Sequence, residues 1–147
     1  MNIISYTISH LNLDHKKLLS PWEWLIGNDK EIIVITKMGD VLLTDPEGKL
    51  YLLSTTDGTL ELISNYATDF FKNRLSADDY YEIFQPMLIK DLEDHEKQLK
   101  DGQVYAYKTL PVDEKQISVS NIHSVDIYKY FLFAATIHKQ INMVDPE

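Results

Sequence analysis

Residues 39–64, GDVLLTDPEGKLYLLSTTDGTLELIS, alternate between short apolar runs and polar turns. The first turn, Asp45-Pro46-Glu47-Gly48, is specified by its residue types. Asp can hydrogen-bond the backbone ahead of it, Pro fixes φ at the second position, and Gly closes the turn. The second turn ends in Asp57-Gly58, and both of these residue types tolerate a positive φ. The pattern therefore predicts two tight turns between apolar strands.

The β-branched run EIIVIT at residues 31–36 precedes this segment and extends the pattern. Together the runs predict an antiparallel meander of four strands. The predicted strands lie at residues 31–36, 41–44, 49–53 and 59–63. Many of their residues are apolar on both faces, so both faces of the sheet are expected to be covered, one of them by helices.

After residue 64 the apolar positions follow a helical period. The predicted helices cover residues 65–75, 77–84, 86–100 and 124–141, with Gly102 as the end signal of the third helix. A short helix at residues 21–26 and further short strands at residues 103–108 and 116–119 complete the prediction. We expect one α+β domain over residues 1–147: an antiparallel β-meander of about four strands packed against several C-terminal helices, with one or two further short strands.

Composition narrows the class of protein. The 147 residues include 44% hydrophobic and 25% charged residues, which is typical of one globular domain. The absence of Cys excludes disulfides and thiolate zinc sites. No run approaches the roughly 18 apolar residues of a membrane span, and residues 1–17 lack the pattern of a secretory signal. We therefore expect a cytoplasmic protein without a membrane partner.

The net charge of the chain indicates which classes of macromolecule it could bind. Asp and Glu number 23 against 14 Lys and Arg, for a formal net charge of -9. Such a charge repels phosphates and attracts basic surfaces, so nucleic acid is disfavoured as a partner. Two interpretations remain: simple solubility, or recognition of a basic protein.

Acidic residues concentrate on two of the predicted helices. The candidate partner-binding residues are Asp78, Asp79, Glu82, Asp91, Glu93 and Asp94. Paired carboxylates can perform acid–base chemistry when burial separates their pKa values. Here lysines such as Lys90 and Lys97 are interleaved with the acids, which is typical of a solvent-facing helix. A solvated face or an interaction surface is therefore favoured over catalysis.

The five histidines are weaker candidates for a functional site than the acidic residues. His95 follows Asp91 by one helical turn, a spacing that could share a metal ion, although a solvated surface pair is the commoner outcome. His123 and Asp126 fit a helix start better than a catalytic dyad. The chain has no nucleophile, zinc-protease, P-loop or dinucleotide motif. We predict no catalytic, cofactor-binding or metal-ligating residues.

Two blocks of the sequence resemble the Tdi-type immunity domain of bacterial type VI secretion, formerly a domain of unknown function. The first block holds Trp24, the strand at residues 32–36 and the run GDVLLTDPEGKLYLLSTTDG. The second reads LKDGQVYAYKTLP, followed by ISVSNIHSVDIYKYFLFAATIHKQI. The resemblance spans about residues 22–141 and rests on the order and spacing of these motifs.

The resemblance implies a cytoplasmic immunity protein without catalytic residues. Such a protein binds and neutralises a cognate toxin effector, of which a nuclease is one kind, by stoichiometric inhibition. A net charge of -9 suits a basic toxin. Two alternatives stay open: another protein-binding module of the polymorphic-toxin immunity kind, and a small-molecule-binding or hydrolytic enzyme with a cleft between sheet and helices.

Overall fold

The computed structural model describes residues 3–74, 76–109 and 117–143. Its strands are β1 (Thr7–Ile8), β2 (Glu31–Thr36), β3 (Val41–Thr44), β4 (Leu50–Ser54), β5 (Thr59–Ser64), β6 (Gln103–Tyr107) and β7 (Ile122–Asp126). Its helices are α1 (His15–Leu19), α2 (Glu23–Ile26), α3 (Ala67–Asp69), α4 (Ala77–Phe84), α5 (Pro86–Asp94) and α6 (Ile127–Met143). Short 3₁₀ turns cover Ile4–Tyr6, Ser20–Trp22 and Val119–Asn121, and a π-helical turn covers Phe70–Arg74.

The main sheet is antiparallel and has the order β1-β2-β3-β4-β5. Strands β2 to β5 are the predicted four-stranded meander, which is confirmed to within one residue at each end. The additional strand β1 pairs with β2 at the edge through Thr7 and Thr36. Strands β6 and β7 form a separate antiparallel hairpin. The predicted α+β class is therefore confirmed.

The turn between β3 and β4 has the hydrogen bonds that its sequence predicts. One carboxylate oxygen of Asp45 accepts hydrogen bonds from the backbone N–H groups of Glu47 at 2.9 Å and Lys49 at 3.0 Å. Gly48 has φ +85°, a conformation that favours glycine. The local side-chain chemistry of Asp45 therefore forms this turn as its sequence predicts.

Both faces of the sheet are covered at β3, where successive side chains point to opposite faces. In β3, Val41 and Leu43 face the cluster built with α1, α2 and α6, whereas Leu42 packs with residues from the π-helical turn and α4. All three side chains are fully buried. A third cluster joins α5 to the β6–β7 hairpin through residues such as Leu92 and Ile122.

The start of the last helix was predicted wrongly. Ser124 lies in strand β7, where it pairs with Tyr105, rather than in a helix that begins at residue 124. Helix α6 begins at Ile127, and a carboxylate oxygen of Asp126 accepts the backbone N–H of Lys129 at 2.9 Å. Asp126 therefore supplies the cap, and pairing with β6 holds the preceding residues extended.

Helix α5 is shorter than predicted, ending at Asp94 instead of continuing to residue 100. Glu96 adopts a left-handed φ of +61°. Its N–H donates to the carbonyl of Glu93, and the N–H of Lys97 donates to that of Leu92. This is the Schellman pattern of helix termination, with Glu where Gly is usual. Gly102 therefore lies beyond the helix, in the turn before β6.

Other boundaries also differ from the prediction. The predicted helix at residues 65–75 is instead α3 followed by the π-helical turn, and Leu75 lies outside the described residues. No strand forms at residues 117–119, while Gln116 and residues 110–115 lie outside the description. Helix α6 buries Phe131, Ala134 and Ala135, but it leaves Leu132, Phe133 and Ile141 exposed.

Candidate functional site

Helix α4 carries three of the six predicted partner-binding carboxylates. Asp78 and Glu82 are exposed and lie one helical turn apart, next to Tyr81, which is 54% exposed. Asp79 is half-buried, and its backbone N–H donates to the Ser76 hydroxyl at 3.1 Å in the helix cap. Two of the three acids therefore form an outward stripe with an exposed aromatic side chain.

Helix α5 carries the other three carboxylates, of which two form an outward pair and one is bonded to a lysine. Asp91 and Asp94 are exposed at a spacing of three residues, and Met87, one turn before Asp91, is 75% exposed. Glu93 instead accepts a hydrogen bond from the Lys37 ammonium at 2.9 Å. That ion pair ties α5 to the turn that follows β2.

We call the outward acids of α4 and α5 the acidic stripes. They comprise Asp78 and Glu82 on α4, and Asp91 and Asp94 on α5. Each stripe includes one large exposed side chain, Tyr81 or Met87. Charged residues around an aromatic or Met side chain are a composition found at protein interfaces. The structure thus places four of the six predicted residues in a setting suited to contact with a protein.

Glu93 also borders a polar cleft of about 930 Å³. Lys37 and Lys100 line this cleft together with Asp101 and Tyr128. The cleft holds charges of both signs. It is therefore electrostatically distinct from the acidic stripes.

Two glycines of the meander lie against helix α6. At Gly39 a Cβ atom would lie 3.0 Å from the Tyr130 ring, and at Gly58 it would lie 2.4 Å from Cγ of His138. Both glycines also have positive φ, at +83° and +70°. The sequence predicted Gly58 as a turn residue but gave no sign that the turn receives a helix side chain. The two blocks of the sequence resemblance therefore meet at these two contacts.

A buried polar cluster lies beside these contacts. Asp40 accepts a hydrogen bond from the Thr55 backbone N–H at 3.1 Å, and the Thr55 hydroxyl donates to the Gly39 carbonyl at 2.9 Å. The same hydroxyl lies 3.0 Å from the Tyr130 hydroxyl. Burial raises the pKa of Asp40 to about 7, although hydrogen bonds from Thr55 oppose the rise; the charge of Asp57 adds to it.

Sequence reasoning missed this cluster. Asp40 was not among the candidate residues, because a single Asp carries no motif. The signal lies in its neighbours, because Asp40 stands between a glycine and the buried run that begins at Val41. Burial also raises the pKa of Tyr130 to about 12, so that hydroxyl stays protonated at neutral pH. The cluster therefore holds one carboxyl group that titrates near neutrality.

An apolar groove of about 750 Å³ runs beside helix α6. We call it the α6 groove. The β6–β7 hairpin forms one side, α6 the other, and Thr55 and Thr56 of the β4–β5 turn close one end. Both strands of the hairpin contribute lining residues, among them Ala106, which pairs with His123 in the antiparallel register. Three segments remote in sequence thus build one groove.

Two polar side chains of the α6 groove, His138 and Asp126, have structural partners. His138 is buried, and its Nε2–H donates to the Thr56 carbonyl at 3.0 Å. Asp126 caps α6, and His123 is exposed at the rim. Within the described ranges, no hydrogen bond joins a groove histidine to a carboxylate or a hydroxyl. The groove thus presents an apolar floor and a polar rim.

The structure also locates the remaining histidines. His10 and His15 meet, with Nδ1 of His10 at 3.2 Å from Nε2 of His15, and Nε2 of His10 donates to the Ile33 carbonyl at 3.0 Å. His95 lies 3.4 Å from an Asp91 carboxylate oxygen, as a surface pair. Among residues 3–74, 76–109 and 117–143, no three His, Asp or Glu side chains are grouped to hold a metal ion. No helix in those same ranges is long and apolar enough to cross a membrane.

The comparisons with known proteins bear on the fold. No protein-family model matches the chain, and no curated protein matches it. The crystal structure of Atu4351 from Agrobacterium tumefaciens is similar, with a TM-score of 0.55 and 16% sequence identity over 82% of this chain. The match covers 63% of that protein, so this chain spans under two thirds of its length. At this identity the likeness shows a shared fold alone.

Proposed function

We propose that this chain is a cytoplasmic immunity protein of the type VI secretion kind. In this role it binds a cognate toxin effector and neutralises it by stoichiometric inhibition. The observation that carries the proposal is the pair of acidic stripes, in which outward carboxylates flank Tyr81 and Met87. A net charge of -9 would speed association with a basic toxin, for example a nuclease.

The contact between the two resemblance blocks supports the proposal. Gly39 and Gly58 belong to the first block, and Tyr130 and His138 belong to the second. These positions are remote in sequence but contact one another in space. The residues that carry the resemblance therefore lie together in one structural unit.

The six candidate acids differ in exposure and in partners, and these differences define the proposed binding surface more closely. Asp79 lies in the helix cap and Glu93 is paired with Lys37. Asp78, Glu82, Asp91 and Asp94 are the exposed acids that line the two stripes. We expect these four to contribute more to partner binding than half-buried Asp79 or the lysine-paired Glu93, because an exposed carboxylate can exchange water for a lysine or arginine of the partner. Asp91 also lies 3.4 Å from Nδ1 of His95.

Co-expression with the product of the adjacent gene in a bacterial host tests the function. We expect survival of the host and a 1:1 complex on size-exclusion chromatography. Growth arrest together with no detectable complex would contradict the proposal. Raising the salt concentration should slow association, since steering by exposed charges is screened by ions.

A charge-reversed variant tests the surface separately. Replacing Asp78, Glu82, Asp91 and Asp94 by Lys should abolish protection. A matched variant reverses four exposed acids outside the stripes and should still protect: Glu23→Lys, Glu31→Lys, Glu61→Lys and Asp101→Lys. Full protection by the four-fold variant would place the toxin contact on another surface and leave the immunity function standing.

A further inference from the structure

The α6 groove combines an apolar floor with a positively charged rim. The floor residues come from β6, β7 and α6: Ala106, Val125, Ala134 and Ile137. Lys108 and Lys129 line the rim, with His123 beside them. An apolar groove with a few convergent polar groups is the usual architecture of a small-molecule site.

Among the described residues, the two rim lysines outnumber the one carboxylate that lines the groove, Asp126. Neither Lys108 nor Lys129 forms an ion pair there. The acid of the rim, Asp126, is engaged by the backbone N–H of Lys129 at the helix start. In a chain of net charge -9, two ammonium groups against one carboxylate give the described rim of this groove a net positive charge.

The groove also has a size and a mouth suited to a ligand. Its volume of about 750 Å³ is within the range of small-molecule pockets. Phe133 lines the groove and is 64% exposed, while Ile137, one helical turn later, is half-buried. The apolar surface thus continues from the floor to the solvent, where a flexible chain could enter.

We propose that the α6 groove binds a free amphipathic anion of the fatty-carboxylate class. The alkyl chain lies on the apolar floor, and the carboxylate lies between Lys108 and Lys129. The charge of the rim disfavours the basic toxin of the proposed function as the occupant, so this site is separate from the acidic stripes. The inference is therefore independent of the immunity function.

Calorimetric titration with decanoate, kept below its micelle concentration, tests the site in the full chain. We expect saturable 1:1 binding. Lys108→Glu and Lys129→Glu should each weaken it about tenfold, as expected for loss of a charge-assisted contact. Lys90→Glu makes the same charge change on the exposed face of α5 and should leave the affinity unchanged. Decyltrimethylammonium, with the same chain and the opposite charge, should bind at least tenfold more weakly.

Several outcomes would overturn the proposal. These are an absence of saturable heat with decanoate, equal affinity for decyltrimethylammonium, and equal weakening by Lys90→Glu. Binding to phosphatidylserine vesicles without binding to decanoate would assign the groove to a membrane surface and would also overturn it. Lys108 lies on the hairpin and Lys129 on α6, so the two variants probe the site from separate elements if either one fails to fold.

Discussion

The acidic stripes come from one short stretch of chain, residues 78–94, whereas the α6 groove is assembled from the β4–β5 turn, the β6–β7 hairpin and α6. The stripes are convex helix surfaces rich in carboxylates. The groove is concave and apolar, with Lys108 and Lys129 at its rim. The two regions therefore differ in shape, in charge and in how much of the fold must form before they exist.

This difference determines how each region responds to mutation. The stripes depend on two helices whose buried sides hold them in place, so changing an outward acid alters charge and leaves packing intact. The groove depends on α6 lying against Gly39 and Gly58. A change at these contacts should therefore alter stability and groove shape together.

The largest expected effect is at Gly58. In Gly58→Ala, the new Cβ would lie 2.4 Å from Cγ of His138, at a φ of +70°. The overpacking and the left-handed strain together should lower the free energy of unfolding by about 4 kcal/mol. Urea denaturation followed by circular dichroism measures the loss.

Gly48→Ala is the matched control for this prediction. Gly48 has φ +85°, and its added Cβ would meet nothing within 4 Å. Only the backbone strain remains, so we expect a loss of about 1 kcal/mol. Equal losses for the two variants would mean that α6 is not held against the β4–β5 turn as described.

The second effect is a pH dependence of stability at Asp40. Its pKa is raised by burial from 3.8 to about 7, so between these values the folded chain binds more protons than the unfolded chain. The penalty for the charged form is absent below the unfolded pKa and is fully present above the folded pKa. The free energy of unfolding should therefore fall by about 1.4 kcal/mol per pH unit as pH rises through this window.

Asp40→Asn removes this titration while keeping an oxygen to accept the Thr55 N–H. Relative to the wild type, the variant should gain about 3 kcal/mol of stability between pH 5 and pH 8. Denaturation curves over this range measure the difference. Asp78→Asn makes the same chemical change at an exposed acid and should track the wild type. A flat difference between Asp40→Asn and wild type would contradict the burial of a neutral Asp40.

The meander could be predicted from sequence because its information is local. Asp45, Gly48 and Gly58 specify turns through their own side chains and backbone preferences. Strand β7 could not be predicted from sequence, because residues Ile122–Asp126 form a strand only through pairing with β6. Likewise Glu96 ends α5 in a conformation that glycine usually adopts, so the sequence carried no end signal there.

The two candidate regions also differ in how much of their structure depends on local sequence. The stripes were predictable as residues, because acids at helical spacing on charged helices indicate an exposed face. Which acids remain free could not be predicted, since the partner of Glu93 is Lys37, remote in sequence. The α6 groove was not predicted at all, because no one of its three segments contains more than part of its lining.

The third effect concerns recognition rather than folding. Asp78→Lys together with Glu82→Lys reverses the α4 stripe and should weaken a toxin complex about thirtyfold, or about 2 kcal/mol. Its stability should stay close to that of the wild type, because both side chains are exposed. Stopped-flow association at two salt concentrations would show the loss mainly in the association rate. An unchanged association rate would show that α4 is not part of the interface.

The smallest effect distinguishes a paired acid from a free one. Glu93 is bonded to Lys37 at 2.9 Å, with side chains 44% and 20% exposed. Such a partly solvated pair contributes little, so Glu93→Gln should lower the free energy of unfolding by less than about 1 kcal/mol. Glu93→Gln should also leave toxin affinity within about twofold, because the charge of Glu93 already has a partner. Asp94→Asn on the same helix should weaken binding severalfold. If Glu93→Gln weakened the complex more than Asp94→Asn did, the partner would have to displace Lys37, and the boundary of the α5 stripe would move to include the polar cleft.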